Sequence, residues 1–509
     1  MNTDSTTYNR NRFLNNLSTD KTAVALVTLA VSIIACALLL KTEGNIIAAA
    51  GFVTAISILL IIFYRVDWGF YIFFFMVLLF DQFNIPGFDP FTFKMDYFKN
   101  LKENTHIPYF SAGVINPVEL HLILMLLAWF VAISVRKRTK IQYIQEWVLA
   151  AIFIVSLILS LVNGMLSGGM FLPALWEVRA LFYFGFLFFL IPQIIQTRKQ
   201  LEIIMWILIV GTTIKALQGI ARFISLGFSN AGYETLTNHE DPVFTTILIV
   251  FLISLALLKG NEKQRNVLLL LLPILLLGFF TGQRRAAYAG LFISLITFAL
   301  MLKNNERVKL FNFIMVFLLI TAVYSAVFWE SESKLASPLK LIKSSINPDT
   351  ESERYLSNLY RDFERYNLAY TIKTTKPITG IGFGNKYKNL IPLPDIIFPL
   401  RDYIPHNEIL WIFVKMGAVG FFIFWFFFNA LIFRCAFLYT KLNDPYLKSI
   451  CIIIVIAIVN QMVVSYYDLQ LTYYRNMIVL GTLCGLIPTL ANLNKKITSD
   501  PNETVSQAA

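Results

Sequence analysis

Charged residues are scarce in this chain. Asp, Glu, Lys and Arg make up 15% of its 509 residues, against roughly 25% in a soluble domain, and the mean hydropathy is +0.64. A solvated globular fold is excluded, which leaves a polytopic membrane protein. Cysteine is rare too. Cys36, Cys435, Cys451 and Cys484 lie within or beside apolar runs and form no CxxC pair, so a disulfide framework is excluded and packing is their expected role. No P-loop occurs, and no DxD motif for a metal-bound nucleotide sugar, so nucleotide chemistry lacks its usual phosphate or metal holder. No secretory signal opens the chain. Residues 1–21 are rich in Asn, Thr and Asp, without an apolar run or cleavage site, and are read as a disordered cytoplasmic tail. The net charge is +12, yet the basic residues form no stripe interleaved with aromatics, which argues against nucleic acid as a partner.

What the chain has is long apolar runs. A stretch of about 20 residues crosses the hydrocarbon as a helix, because every backbone group is then satisfied within the segment. About fourteen such runs follow one another, from 23–40 to the last three at 406–434, 447–466 and 469–490. The expected fold is an all-α, polytopic integral membrane protein embedded in membrane lipids. Basic residues sort its loops into two alternating sets. One holds Arg136-Lys137-Arg138-Thr139-Lys140, Arg198-Lys199, Lys259 with Lys263 and Arg265, Lys303 with Arg307 and Lys309, and Lys495-Lys496. The positive-inside rule places that set and both termini in the cytoplasm. The opposite set comprises 81–116, Ser167-Gly168-Gly169, 223–242, the turn ending at Arg285, and 329–405. The expected organisation is a tail at 1–21, transmembrane helices 1–11 over 22–328, a large outer loop at 329–405, helices 12–14 over 406–490, and a cytoplasmic tail at 491–509.

Arg284 and Arg285, in Thr281-Gly282-Gln283-Arg284-Arg285, sit on the outer side, where short basic loops are avoided. An anionic ligand accounts for the exception, since the guanidinium fork binds phosphate in bidentate fashion. His406 opens a span on the same predicted side and is followed by Asn407. A neutral imidazole accepts a proton near neutral pH. An interfacial histidine is also compatible with a structural role, but arginines facing the same compartment favour chemistry. A neutral base beside fixed cations suits attack on a group that leaves as pyrophosphate.

Within the outer loop Leu356, Leu359, Phe363, Tyr366 and Tyr370 recur at steps of three and four. That spacing predicts an amphipathic helix whose apolar face packs on the membrane helices. Its other face carries Arg361, Asp362, Glu364 and Arg365, either as a solvated surface or with Arg361 or Arg365 on a ligand. Gly380, Gly382 and Gly384 follow, a weak signal outside any βαβ context. Polar side chains inside spans are costly and count as candidates. Lys215, Gln218 and Arg222 share a face near the outer leaflet, where Arg222 either snorkels or meets a ligand. Glu177 and Arg179 read as a local ion pair, and Asp468 with Arg475 as a structural one. Lys415 shares a face with Glu408 and lies roughly 13 Å below His406, too deep to reach water without a partner. His239-Glu240-Asp241 is the tightest outward group of possible metal ligands. Adjacent residues rarely converge on one ion, so no metal and no cofactor is expected.

Together these segments resemble the O-antigen ligase and O-antigen polymerase superfamily of bacterial inner-membrane glycosyltransferases. Thr281-Gly282-Gln283-Arg284-Arg285-Ala286 looks like the family's T-G-S-R-G-A turn, with Gln and Arg replacing Ser and Gly. Pro377 through Asn385 looks like its P-L-x-G-x-G-x-G-N stretch. His406-Asn407 followed by Gly417-Ala418-Val419-Gly420 fits H-N-x9-G-x-x-G. The resemblance implies metal-independent transfer of a glycan from undecaprenyl pyrophosphate to a saccharide or lipid-linked acceptor, such as lipid A core oligosaccharide, at the periplasmic face of the inner membrane. It implies that His406 deprotonates the acceptor hydroxyl and Arg284 grips the pyrophosphate. Arg285 stands where the family has Gly. The family often carries an arginine in the loop before the span near 243, whereas Tyr233-Glu234-Thr235-Leu236-Thr237-Asn238-His239 has none. Arg222 or His239 is left to supply that contact, and Arg179, Lys215, Arg361 and Arg365 complete the expected substrate-binding set.

Rival readings stay open. A repeat-unit polymerase would run the same chemistry on a lipid-linked acceptor. A flippase or transporter would show internal repeats and charges near the midplane; here no convincing repeat is seen, and the basic candidates gather at one face. A non-catalytic scaffold would be indifferent to a change at His406.

Overall fold

A computed structural model describes residues 21–499 except 42–43, 45, 86, 104–112, 135–140, 229–232, 234, 332–335, 337–338, 340–352 and 395–397. The expected tail at 1–21 lies outside the described residues save for Lys21, as do the basic run Arg136–Lys140 and residues 500–509. The described chain is all-α, with no β-strand among the described residues. Its helices are α1 Lys21–Lys41, α2 Ile46–Tyr64, α3 Val66–Leu79, α4 Phe91–Lys94, α5 Pro117–Ser134, α6 Trp147–Leu166, α7 Phe171–Ile194, α8 Arg198–Ser225, α9 Asp241–Leu258, α10 Glu262–Thr281, α11 Arg285–Met301, α12 Asn304–Phe328, α13 Glu353–Thr374, α14 Glu408–Lys441, α15 Pro445–Tyr467 and α16 Tyr474–Ser499. Ten of them are long and apolar enough to cross a membrane, and three shorter apolar helices accompany them. The protein is a multi-pass membrane protein.

Two units divide the chain by packing: Met1–Ile72 with Asn100–Val135, and Phe73–Lys99 with Arg136–Ala509. In the first, α1 packs on α2 and α2 on α5, and His121 Nε2 lies 3.2 Å from the Gly69 carbonyl oxygen. In the second, α15 sits among α9, α11, α14 and α16, while α16 lies along α7. Helices apolar all round belong inside such a bundle, and α9, α15 and α16 are buried over most of their length. A cluster of Phe153, Phe184, Phe188, Phe424, Phe427 and Phe428 locks α6, α7 and α14 together. α12 has only 6% of its apolar window buried, as a lipid-facing helix would.

Three features differ from expectation. The final helix begins at Tyr474, not near 469, because residues 468–473 are pinned in irregular form on the buried Glu408 carboxylate. That carboxylate accepts from the amides of Gln470 at 2.5 Å, Leu471, and Thr472 at 3.1 Å, and from the Thr472 hydroxyl at 2.6 Å. The same helix runs on to Ser499, so 491–499 is helix and not tail. The amphipathic helix exists as α13, but the face it buries is not the apolar stripe. Tyr360, Glu364, Asn367, Leu368 and Thr371 are buried, whereas Leu356 and Tyr366 are 57% and 64% exposed. Polar partners on the inner side, described below, set that orientation.

The glycine-rich stretch after α13 is threaded into the bundle. α14 breaks at Gly417, whose φ of 65° and ψ of −174° is open to glycine and not to side-chain-bearing residues. Into that break run the amides of Ile381, which donates to the Val414 oxygen at 2.9 Å, and Gly382, which donates to Lys415 at 3.0 Å. Phe383 donates to Ser160 of α6 at 3.3 Å, and Gly384 to the Glu177 carboxylate at 2.5 Å. Each of these amides is spent on protein acceptors, so the stretch is a structural strap and not an anion nest.

Candidate active site

The loops that follow α8, α10, α13 and α15 meet at one end of the larger unit, and their polar residues form one connected cluster. Arg284 is the extended residue before α11 and its side chain is only 9% exposed. Its guanidinium hydrogen-bonds the His239 Nε2 and lies 3.7 Å from Asp468 Oδ2. His239 Nδ1 is 3.0 Å from the same Asp468 oxygen. Burial would raise the Asp468 carboxyl, but His239, then Arg284 and Arg361, outweigh it and hold the group well below the usual carboxylate range. Asp468 is therefore a fixed anion that orients two candidates at once.

α13 bridges this cluster to His406. At one point along the helix Asn358 Oδ1 accepts from Arg285 at 2.8 Å. Six residues on, Glu364 Oε2 lies 2.8 Å from His406 Nδ1 and also accepts the His406 amide at 3.1 Å. Six residues correspond to about 9 Å of helix rise, which separates the two contacts along α13. Glu364 is 1% exposed, and the His406 ring meets the edge of Tyr360 at 5.7 Å. A carboxylate on Nδ1–H fixes the imidazole tautomer and leaves Nε2 as the proton acceptor. His406 Nε2 carries no hydrogen bond among the described residues. Asn407 caps α14 through Leu410 at 3.0 Å, which fixes where His406 stands.

Residues 267–425, from α10 into α14, match the family described as O-antigen ligase. That match supports a place for the chain in the O-antigen ligase and polymerase superfamily. It supports, at the general level, an enzyme function of the O-antigen ligase and polymerase type. Among curated proteins the chain finds no match. The family segment contains Arg284, Arg285, Asn358, Arg361, Glu364 and His406, while His239 and Asp468 reach the cluster from outside it.

Other residues expected on substrate are otherwise engaged. Lys215 is buried in an ion pair with Asp81 and bonds Gln218 Oε1 at 2.6 Å. Arg222 donates to the Leu236 oxygen at 2.8 Å and lies over the Phe88 ring at 4.9 Å, so it neither snorkels nor faces the cluster. Arg179 is buried within α7 at 3% exposure. Its expected partner Glu177 pairs instead with Lys415 at 2.6 Å, because a lysine that deep needs a buried carboxylate. Arg365 turns outward to Asp362. Asp468 and Arg475 are not a pair: Asp468 lies before the helix starts, and Arg475 bonds Asp241 at 2.9 Å with Glu240 at 3.7 Å. His239 thus turns to Asp468, while Glu240 and Asp241 both face Arg475. Among the cysteines, Cys435, Cys451 and Cys484 are buried and Cys36 is exposed.

Glu364, Asn358 and the orienting role of Asp468 escaped the sequence reading. One signal existed: Asn358, Arg361 and Glu364 recur at steps of three on one helical face.

Proposed function

We propose that this protein is a periplasm-facing glycosyltransferase of the O-antigen ligase type. It would move a glycan from undecaprenyl pyrophosphate to a saccharide acceptor, lipid A core oligosaccharide or a related sugar, in the bacterial inner membrane. The observation that carries the reading is the buried Glu364 on His406 Nδ1 at 2.8 Å, on the same helix that holds Arg285 beside Arg284. In this scheme the acceptor hydroxyl attacks the anomeric carbon and His406 Nε2 takes its proton. The bond from that carbon to the pyrophosphate oxygen breaks, and its electron pair leaves with the pyrophosphate. Arg284 and Arg285 spread the charge on the leaving group. Glu364 holds the imidazole in place and stabilises the imidazolium that forms, as the carboxylate does in a hydrolytic triad. A repeat-unit polymerase of the same superfamily would run the same chemistry on a lipid-linked acceptor.

The test separates grip from base. Arg284→Lys keeps the charge but loses the planar fork, so it should weaken donor binding and cost about 2.7–4 kcal/mol in the transition state, by analogy with losing one oxyanion donor. His406→Ala should bind donor normally and lose transfer, and Glu364→Gln should lower turnover in the same direction. Transfer by His406→Ala at the wild-type rate, in protein shown to be folded, sinks the general-base assignment.

A further inference from the structure

α13 presents Asn358, Arg361 and Glu364 at successive steps of three on one face. The outer two are occupied, by Arg285 at 2.8 Å and by His406 at 2.8 Å. Arg361 lies midway, about 4.5 Å of helix rise from each, between the arginine turn and the base. Its Nε is buried without a hydrogen-bond partner, and no hydrogen bond or ion pair engages its guanidinium among the described residues. Its charge reaches Asp468, the same carboxylate that Arg284 and His239 share. A buried Nε–H left without an acceptor is costly unless something supplies one, even on a half-buried side chain such as Arg361. The geometry asks for an anion bounded by Arg284 on one side and α13 on the other.

We propose that Arg361 is a further arginine of the donor site, gripping the pyrophosphate from the α13 side while Arg284 and Arg285 grip it from the α11 side. This rests on the transferase reading above and deepens it. The loop at 233–239 offers no arginine, Arg222 is committed to the Leu236 oxygen and the Phe88 ring, and Arg365 faces Asp362. Among the described residues, Arg361 has unmet hydrogen-bonding capacity at the right place. Because Glu364 lies one turn further along, a donor that pulls on Arg361 also settles the carboxylate that orients His406. Grip and base are thereby mounted on one rigid element.

The test uses the full-length protein in detergent micelles with farnesyl pyrophosphate as a short lipid probe and farnesyl monophosphate as the comparison. Arg361→Ala and Arg361→Gln should bind the pyrophosphate roughly tenfold to a hundredfold more weakly, the loss expected for one charge-assisted contact. Arg361→Lys should recover part of that loss, and Arg365→Ala should bind as wild type. The preference for pyrophosphate over monophosphate should shrink in Arg361→Ala, which a loss of folded protein alone would not produce. If Arg361→Ala and Arg361→Gln bind as tightly as wild type while Arg284→Lys is weakened, the donor role of Arg361 is wrong and the transferase reading survives. If Arg284→Lys also binds as wild type, the pyrophosphate grip itself fails.

Discussion

Glu240 is completely buried, 3.7 Å from Arg475, and neither of its carboxylate oxygens accepts a hydrogen bond among the described residues. Burial pushes its carboxyl from 4.5 up to about 7, and Arg475 offsets only part of that. The folded protein therefore holds a proton there that the unfolded chain has already released between about pH 4.5 and 7. Since stability falls with rising pH wherever the folded state binds more protons, this site costs up to about 3 kcal/mol by the top of the window. Glu240→Gln keeps the shape without the ionisation, so its thermal stability relative to wild type should rise from about pH 5 to about pH 8. A constant difference across that range would refute the assignment. At this scale the sequence revealed the cations, because Arg284 and Arg285 fill a short loop on the side where short basic loops are avoided. It concealed their anions. Glu364 meets His406 across 42 positions and Asp468 meets His239 across 229, and no helical or strand period carries that information.

Among the elements, α13 and the strap after it reversed two expectations for one reason. The apolar stripe of α13 satisfied the rule that hydrophobic faces turn inward, yet Leu356 and Tyr366 are exposed. A helix whose inner ridge carries Arg285, His406 and Asn389 contacts through Asn358, Glu364 and Asn367 is oriented by polar pairing instead. The existence and length of the helix were readable from spacing; its rotation was not, because rotation depended on partners in distant segments. The glycine strap likewise read as a weak binding motif and proved to be seated on α6, α7 and the break in α14. Lys415, with Glu177 at 2.6 Å and the Asn385 oxygen as a second acceptor, anchors it. Lys415→Met should leave Glu177 as an uncompensated buried charge and destabilise by roughly 3–5 kcal/mol, with Glu177→Gln combined with it recovering much of the loss. Thermal unfolding of the three proteins in detergent reads this directly, and an undiminished melting temperature in Lys415→Met alone would contradict it.

For the whole molecule, the polytopic all-α class was legible from composition alone, and the chain's orientation is the claim still to be measured. The cluster of Arg284, Asp468 and His406 lies at the end of the larger unit opposite the contact between Arg198 and Asp444. On a background with the four native cysteines replaced, single cysteines at Lys376 and Ser167 should react with an impermeant maleimide applied to intact spheroplasts. Those at Lys199 and Lys263 should react only after the membrane is opened. The reverse pattern would turn the protein over and place its chemistry on the wrong side for a periplasmic acceptor. The strap also dictates an order of manufacture. Glu177 waits for Gly384, 207 residues later, and for Trp411, 234 residues later. As synthesis proceeds, α6 and α7 enter the bilayer with a carboxylate that has no counter-ion until α14 emerges. Contacts of such long range close late and slowly. A chain stalled before residue 415 would thus hold Glu177 without Lys415, a carboxyl that the bilayer would keep protonated until its partner arrives.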